Sequence, residues 1–245
     1  MHLNLQGGLT AKKEELEILL DLHEVDVLCM SEHHQTHDMK HFSVGNYRTV
    51  SYFARTKYQK GGVGILGKLD NNFSNLVFNN SKEKDFEICV TRWHISEDEQ
   101  ITICSVYRSP SGDFKAFMDG LDLMLKNIYD PKNRHILCGD ININLFESSK
   151  QKQTLLNFLL EYNLKPTITD ATRITNTTKT CIDNIFTDFT VLNSEVIDTV
   201  ISDHTYQLIY FNINNFKDDT PVTRSGRNFK VSAIEDFKDA VALID

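Results

Sequence analysis

Polar residues with chemical potential stand at the ends of short apolar runs. Asn4 lies in the first such run, and Glu32 follows residues 25–30. Tyr107 and Arg108 close the run 101–106, and Asp140 and Asn142 follow 135–138. Asp183 opens 182–186, and Asp203 and His204 stand between two further runs. If the runs are strands, a rigid sheet holds these groups still at its edge. Gathered there, carboxylates could bind a hard cation or take a proton from water. An imidazole oriented by a carboxylate could donate to an oxygen on which charge develops. Taken singly, each residue reads as an ordinary turn or cap. The joint pattern points to a site.

The elements that must position these residues follow from periodicity. Leu16, Leu19 and Leu20 share one face of a Lys- and Glu-rich segment, which predicts an amphipathic helix over 11–24. Residues 25–30 read as a buried strand, and 61–66 as another in which glycines permit close backbone approach. Phe86, Ile88 and Val90 alternate with Glu87, Cys89 and Thr91, predicting a strand with two unlike faces. Residues 101–107 are β-branched and apolar. Apolar residues spaced by three and four from Phe114 to Ile128 predict a helix capped by Asp113. A short strand over 135–138 is expected to stop at Gly139, and a helix over 155–160 to end near Asn163 and Pro166. Strands are expected over 182–186, 196–201 and 205–213. Strands outnumber helices and several lie within hairpin reach. This predicts an α/β fold, a two-sheet, mainly antiparallel β-sandwich flanked by helices.

The 245 residues include 26 Lys plus Arg against 34 Asp plus Glu, a net charge of −8. Loose binding to nucleic acid wants the opposite sign, so any nucleic-acid enzyme here needs a local basic strip beside an acidic pocket. Five dispersed cysteines without a CxxC pair read as reduced core residues of an intracellular protein. No run of 18 apolar residues and no secretory leader is evident, so no membrane partner is expected. From Lys217 to Asn228 the chain turns polar, and Ala233, Phe237, Ala240, Val241 and Ile244 then form a short helical stripe.

In order, Asn4, Ser31-Glu32, Gly139-Asp140-Ile141-Asn142, Ile182-Asp183 and Ser202-Asp203-His204 resemble the motifs of the endonuclease/exonuclease/phosphatase superfamily, which includes apurinic/apyrimidinic endonucleases and DNase I. The segments 106–112 (VYRSPSG) and 180–186 (TCIDNIF) resemble the endonuclease domain of non-LTR, LINE-like retrotransposons. The resemblance covers residues 1–213. Residues 214–245, with Arg227-Asn228-Phe229, resemble the linker and short helical tail leading toward a reverse transcriptase, and no Tyr-x-Asp-Asp polymerase signature follows.

The resemblance implies a DNase I-like fold and a DNA-nicking, Mg²⁺- or Mn²⁺-dependent phosphodiesterase. Its partners would be DNA and a reverse transcriptase domain in a longer parent chain, and its expected place is the nucleus. It implies that Glu32 binds the ion with Asn4 and Asp203, and that Asp140 positions or deprotonates water while Asn142 contacts the phosphate. His204 would donate to the phosphoryl oxygens, oriented by Asp183, with Tyr107 at the scissile phosphate and Arg108 on a neighbouring one. Hydrolysis of an anionic diester needs charge neutralisation, an in-line water and stabilisation of the leaving oxygen, and this set supplies the means. A phosphatase or abasic-site repair nuclease would share nearly all these residues, and an inactive relic kept as a binding module would keep the fold.

Other groups fit one of two readings. His33, His34, His37 and His41 beside Glu32 could suggest zinc, but no His-Glu-x-x-His order occurs, and a loop near the substrate fits better. Lys57 and Lys60, interleaved with Arg55, Tyr52, Phe53 and Tyr58, suit either phosphate contact and base stacking or a solvated loop. Arg173 and Lys179 in a Thr-rich stretch could line a groove. Residues 82–85 read as a plain surface turn.

Overall fold

A computed structural model describes residues 1–36 and 39–213. The expected linker and helical tail over 214–245, and His37 of the histidine cluster, lie outside the described residues.

The chain builds β1 (His2–Asn4), α1 (Lys13–Leu22), β2 (Val27–Ser31), β3 (Ser43–Val44), β4 (Tyr47–Phe53), β5 (Val63–Lys68), β6 (Asn72–Leu76), β7 (Phe86–His94) and β8 (Gln100–Arg108). Then come α2 (Phe114–Ile128), β9 (Arg134–Asp140), α3 (Lys150–Glu161), β10 (Lys165–Pro166), β11 (Arg173–Ile174) and β12 (Lys179–Thr180). The last strands are β13 (Asp183–Thr187), β14 (Asn193–Ile197) and β15 (Tyr206–Tyr210). One sheet runs β14-β15-β1-β2-β5-β4-β3 and the other β10-β13-β9-β8-β7-β6, with β11–β12 as a separate ribbon. The expected two-sheet sandwich is the fold.

Each sheet contains one parallel step, β1 with β2 and β8 with β9, and every other pairing is antiparallel. A parallel step needs a crossover, and α1 and α2 are those crossovers. Helix α2 spans the predicted residues, and the Asp113 carboxylate accepts the Ala116 N–H at 2.7 Å. Its Phe117, Leu121, Met124 and Leu125 pack with Phe86, Ile88 and Val90 of β7 in one core. Leu16 and Leu20 of α1 pack with Leu3, Leu28, Met30 and Leu66 in a second. Burial of each such side chain contributes about 1.5–3 kcal/mol. The alternating residues of β7, led by Glu87, turn away from the helix, toward the sheet–sheet interface.

Several boundaries differ from the periodic reading. Strand β9 runs through Gly139 to Asp140, because Gly139 lies so close to β8 that a Cβ would collide with the Val106 carbonyl. There glycine prolongs the strand instead of ending it. Pro166 does not merely follow a helix but sits on a short edge strand. Strand β14 ends at Ile197, leaving Ile201 in the loop before Asp203. All five cysteines are buried and unpaired. No described helix is long and apolar enough to cross a membrane.

Candidate active site

Strand register assembles the site. Asp183 is the cross-strand partner of Asp140, Asp140 of Tyr107, and Tyr107 of Glu87. Four strands of one sheet therefore carry these side chains in a row. The other sheet contributes Asn4, beside Ser31 in β1–β2, and Glu32 just after β2. Ser31 ties the sheets together, its Oγ lying 3.4 Å from the Val106 carbonyl and 3.4 Å from the Asp140 N–H. Glu32 and Asn142 follow strand ends at left-handed φ of 51° and 47°, a sparsely populated conformation that turns each side chain sharply from its strand.

The Asn4 amide nitrogen donates to Glu32 Oε1 and to Asp140 Oδ2, each at 2.9 Å. One amide thus fastens carboxylates from opposite sheets. Burial raises Glu32, but hydrogen bonds from His34 and Asn4 outweigh it and hold the carboxyl below its usual range. Asp140 is driven the other way, well above the usual range, by burial and by the Asp183 charge. Environments that push two neighbouring carboxyls apart favour different roles for them.

His204 Nδ1–H donates to Asp183 Oδ2 at 2.8 Å, and the Thr172 hydroxyl donates to the same oxygen at 2.8 Å. Asp183 Oδ1 is buried without a protein partner. Burial lowers His204, but the charges of Asp183, Asp140 and Asp203 prevail and raise it to about 9. At neutral pH it is therefore an imidazolium able to donate from Nε2. Tyr107 is 5% exposed, and burial with the Glu32 and Asp140 charges holds its hydroxyl protonated.

Ligand atoms of Asp140, Asp183 and His204 lie within 4.8 Å of one another. Two of these groups are spent on each other. Asp183 Oδ1 has no protein partner, and the oxygens of Asp140 and Glu32 each accept a hydrogen bond or ion pair while keeping a lone pair; these are hard oxygen donors of the kind Mg²⁺ takes. The chemistry of the residues fits such an ion.

Four of the expected site residues are engaged with protein partners. Asn4 was expected to ligate an ion, yet its Oδ1 accepts the Gln6 N–H at 3.0 Å and its nitrogen faces the carboxylates, so it braces them. Asp203 stands at the rim, its Oδ2 paired with Arg173 at 2.9 Å and its Oδ1 3.6 Å from His204 Nε2. Arg173 is thereby engaged beside the site. Arg108, expected to hold a phosphate, is 4% exposed and donates to the Asn142 and Gly112 carbonyls. It supports the turn beneath Asn142, whose own amide nitrogen donates to the Arg108 carbonyl at 2.7 Å.

Lys57 and Lys60 are exposed on the loop after β4. That loop is held by Glu83, whose carboxylate accepts the N–H groups of Thr56, Lys57 and Tyr58, so residues 82–85 are more than a plain turn. His33 is fully buried between the Phe53 carbonyl and the Gln35 N–H, while His34 pairs with Glu32 at 3.3 Å. They do not share a ligand set. Sequence reasoning missed Glu87, although its place opposite the apolar face of β7 was the available signal.

A family model described as endonuclease-reverse transcriptase matches residues 101–208. No curated protein matches the sequence. Among solved structures, the endonuclease domain of TRAS1, a telomere-specific non-LTR retrotransposon, is 18% identical, with a TM-score of 0.69 over 86% of this chain and 96% of that one. An AP endonuclease from Archaeoglobus fulgidus is 15% identical, with a TM-score of 0.67 over 86% and 98% of the two chains. AP endonuclease LMAP from Leishmania major is 13% identical, with a TM-score of 0.64 over 86% of each. The chain shares the fold of these endonuclease structures, and its residues 101–208 resemble the endonuclease-reverse transcriptase family.

Proposed function

We propose that the protein is a metal-dependent DNA-nicking endonuclease of a non-LTR retrotransposon, acting beside a reverse transcriptase in a longer chain. One observation carries the reading: Asn4 joins Glu32 to Asp140, while Asp183, cross-strand from Asp140, holds His204. The family match over residues 101–208 supports the nuclease class.

Glu32, ionised and partly exposed, would hold Mg²⁺, with Asp140 and Asp183 Oδ1 as neighbouring oxygens. When bound, such an ion neutralises charge on the phosphate and the leaving oxygen. Asp140 positions the attacking water and accepts its proton. His204 donates Nε2–H to a phosphoryl oxygen as charge builds, and Asp183 fixes the ring's orientation and stabilises its positive charge, as in a hydrolase triad. Tyr107 contacts the scissile phosphate, and Asn142 lines the same pocket. Lys57 and Lys60 meet flanking phosphates, giving the acidic chain a local basic strip.

Relaxation of supercoiled plasmid tests the reading. Nicking with Mg²⁺ that stops on adding EDTA, and falls about a hundredfold or more in Asp140→Asn and His204→Ala, is expected. Undiminished nicking in both variants would falsify it. Turnover of small phosphomonoesters with none on DNA would favour a phosphatase of the same fold.

A further inference from the structure

The row Asp183–Asp140–Tyr107 continues one strand further, to Glu87 on β7. Glu87 is fully buried, and both its oxygens are used. Oε1 accepts Arg55 Nε–H, and Oε2 accepts the Gly62 N–H at 2.5 Å. Arg55 comes from the loop after β4, in the opposite sheet, and is itself 6% exposed. Its Nη2 reaches Ser109 Oγ at 3.3 Å, and its guanidinium carbon lies 5.9 Å from the centre of the Tyr107 ring. The loop closes on Arg55 so tightly that a Cβ on Gly61, which has φ +111°, would strike the guanidinium.

Burying an ion pair is expensive, and an apolar pair of the same volume generally gives equal or better stability. A cation over an aromatic face also holds the ring by attraction to its quadrupole. The placement thus suits orientation better than stability. We infer that Arg55 and Glu87 form a positioning pair for Tyr107, bracing its ring against the opposite sheet so that its hydroxyl meets the scissile phosphate. This rests on the nuclease reading above. Neither residue touches substrate. Glu87 aims Arg55, and Arg55 aims the ring.

The pair acts only through Tyr107, and a double-mutant cycle separates that from a structural role. Plasmid nicking is measured for Glu87→Gln, with and without Tyr107→Phe, per folded molecule as judged by circular dichroism. Glu87→Gln keeps the shape and an acceptor for Arg55 but removes the charge. The expected result is a fall in kcat of about tenfold with KM within about twofold, shrinking to less than about twofold further loss when Tyr107→Phe is already present. Arg55→Lys keeps the charge but loses the planar fork, and the same cycle is expected from it. It serves if Glu87→Gln does not fold. Equal losses with and without the Tyr107 hydroxyl overturn the inference while leaving the nuclease reading intact. So does a Tyr107→Phe variant as active as the parent. Undiminished nicking in Asp140→Asn together with His204→Ala overturns both.

Discussion

A buried histidine–aspartate pair lies at each end of β13, with Asp183 opening the strand and Asp188 directly following it, and the two pairs are alike in distance but not in completeness. His204 Nδ1 meets Asp183 Oδ2 at 2.8 Å, and His135 Nδ1 meets Asp188 Oδ2 at 2.7 Å. All four side chains are nearly inaccessible. His135, however, has its second nitrogen turned to the Asp130 N–H at 3.4 Å, and its ring stacks on Tyr129. The other oxygen of Asp188 accepts the His135 N–H at 2.8 Å. In the first pair Asp183 Oδ1 is unmatched, and His204 Nε2 lies 3.6 Å from the rim carboxylate of Asp203, beyond hydrogen-bond reach. A closed pair can only support a fold. A pair with unfilled valence has something left to offer a ligand.

Substitutions at corresponding positions sharpen or break that contrast. The largest effect is expected at the open pair. His204→Ala should lower nicking about a hundredfold or more, and Asp183→Asn should do similar damage by removing the charge that keeps the imidazole protonated and aligned, both read from initial rates. At the closed pair, Asp188→Ala should leave turnover per folded molecule within about twofold but cost about 3 kcal/mol in urea unfolding, because a buried imidazole and a backbone N–H lose their acceptor. Comparable activity losses at the two ends would erase the distinction.

A subtler difference concerns pH. His204 sits at about 9 in the fold against 6.5 for the free side chain, because surrounding carboxylates outweigh its burial. A raised folded value means that its contribution to stability is whole below pH 6.5 and disappears as pH climbs through about 9. Unfolding free energy measured across that window should decline in the parent protein and show a flatter course in His204→Asn. The smallest effect is expected far from both pairs. Lys57→Ala and Lys60→Ala should each weaken DNA binding modestly and reduce the slope of log K against log salt by about one.

How much of this was legible beforehand varied with the kind of signal. Helix α2 was readable to the residue because a long 3.6-residue period and its cap, Asp113, agree. The sandwich was readable because short apolar runs outnumber helical patterns and several lie within hairpin reach. Short edge strands such as β3 and β6 were not, since their exposed residues carry little periodicity. Asp140, Asp183 and His204 stood out because their motifs follow one another in order. Glu87 did not, because its neighbour Tyr107 is twenty positions away and only strand pairing brings them together. Arg108 misled for a related reason. A basic side chain at a strand end suggests a phosphate contact, whereas its use here is to cap two carbonyls in the interior. His204–Asp183 and His135–Asp188 cannot be ranked from residue types at all, since only the count of filled hydrogen-bonding positions separates them.

If the proposed nuclease reading holds, the bond from Asn4 to both Glu32 and Asp140 makes catalytic competence a gauge of how the two sheets are seated. A slip between them far too small to disturb either sheet's own ladder would pull the carboxylates apart. Mild denaturant should therefore silence the enzyme while its circular dichroism is still native, and turnover becomes the more sensitive reporter of a loosening interior.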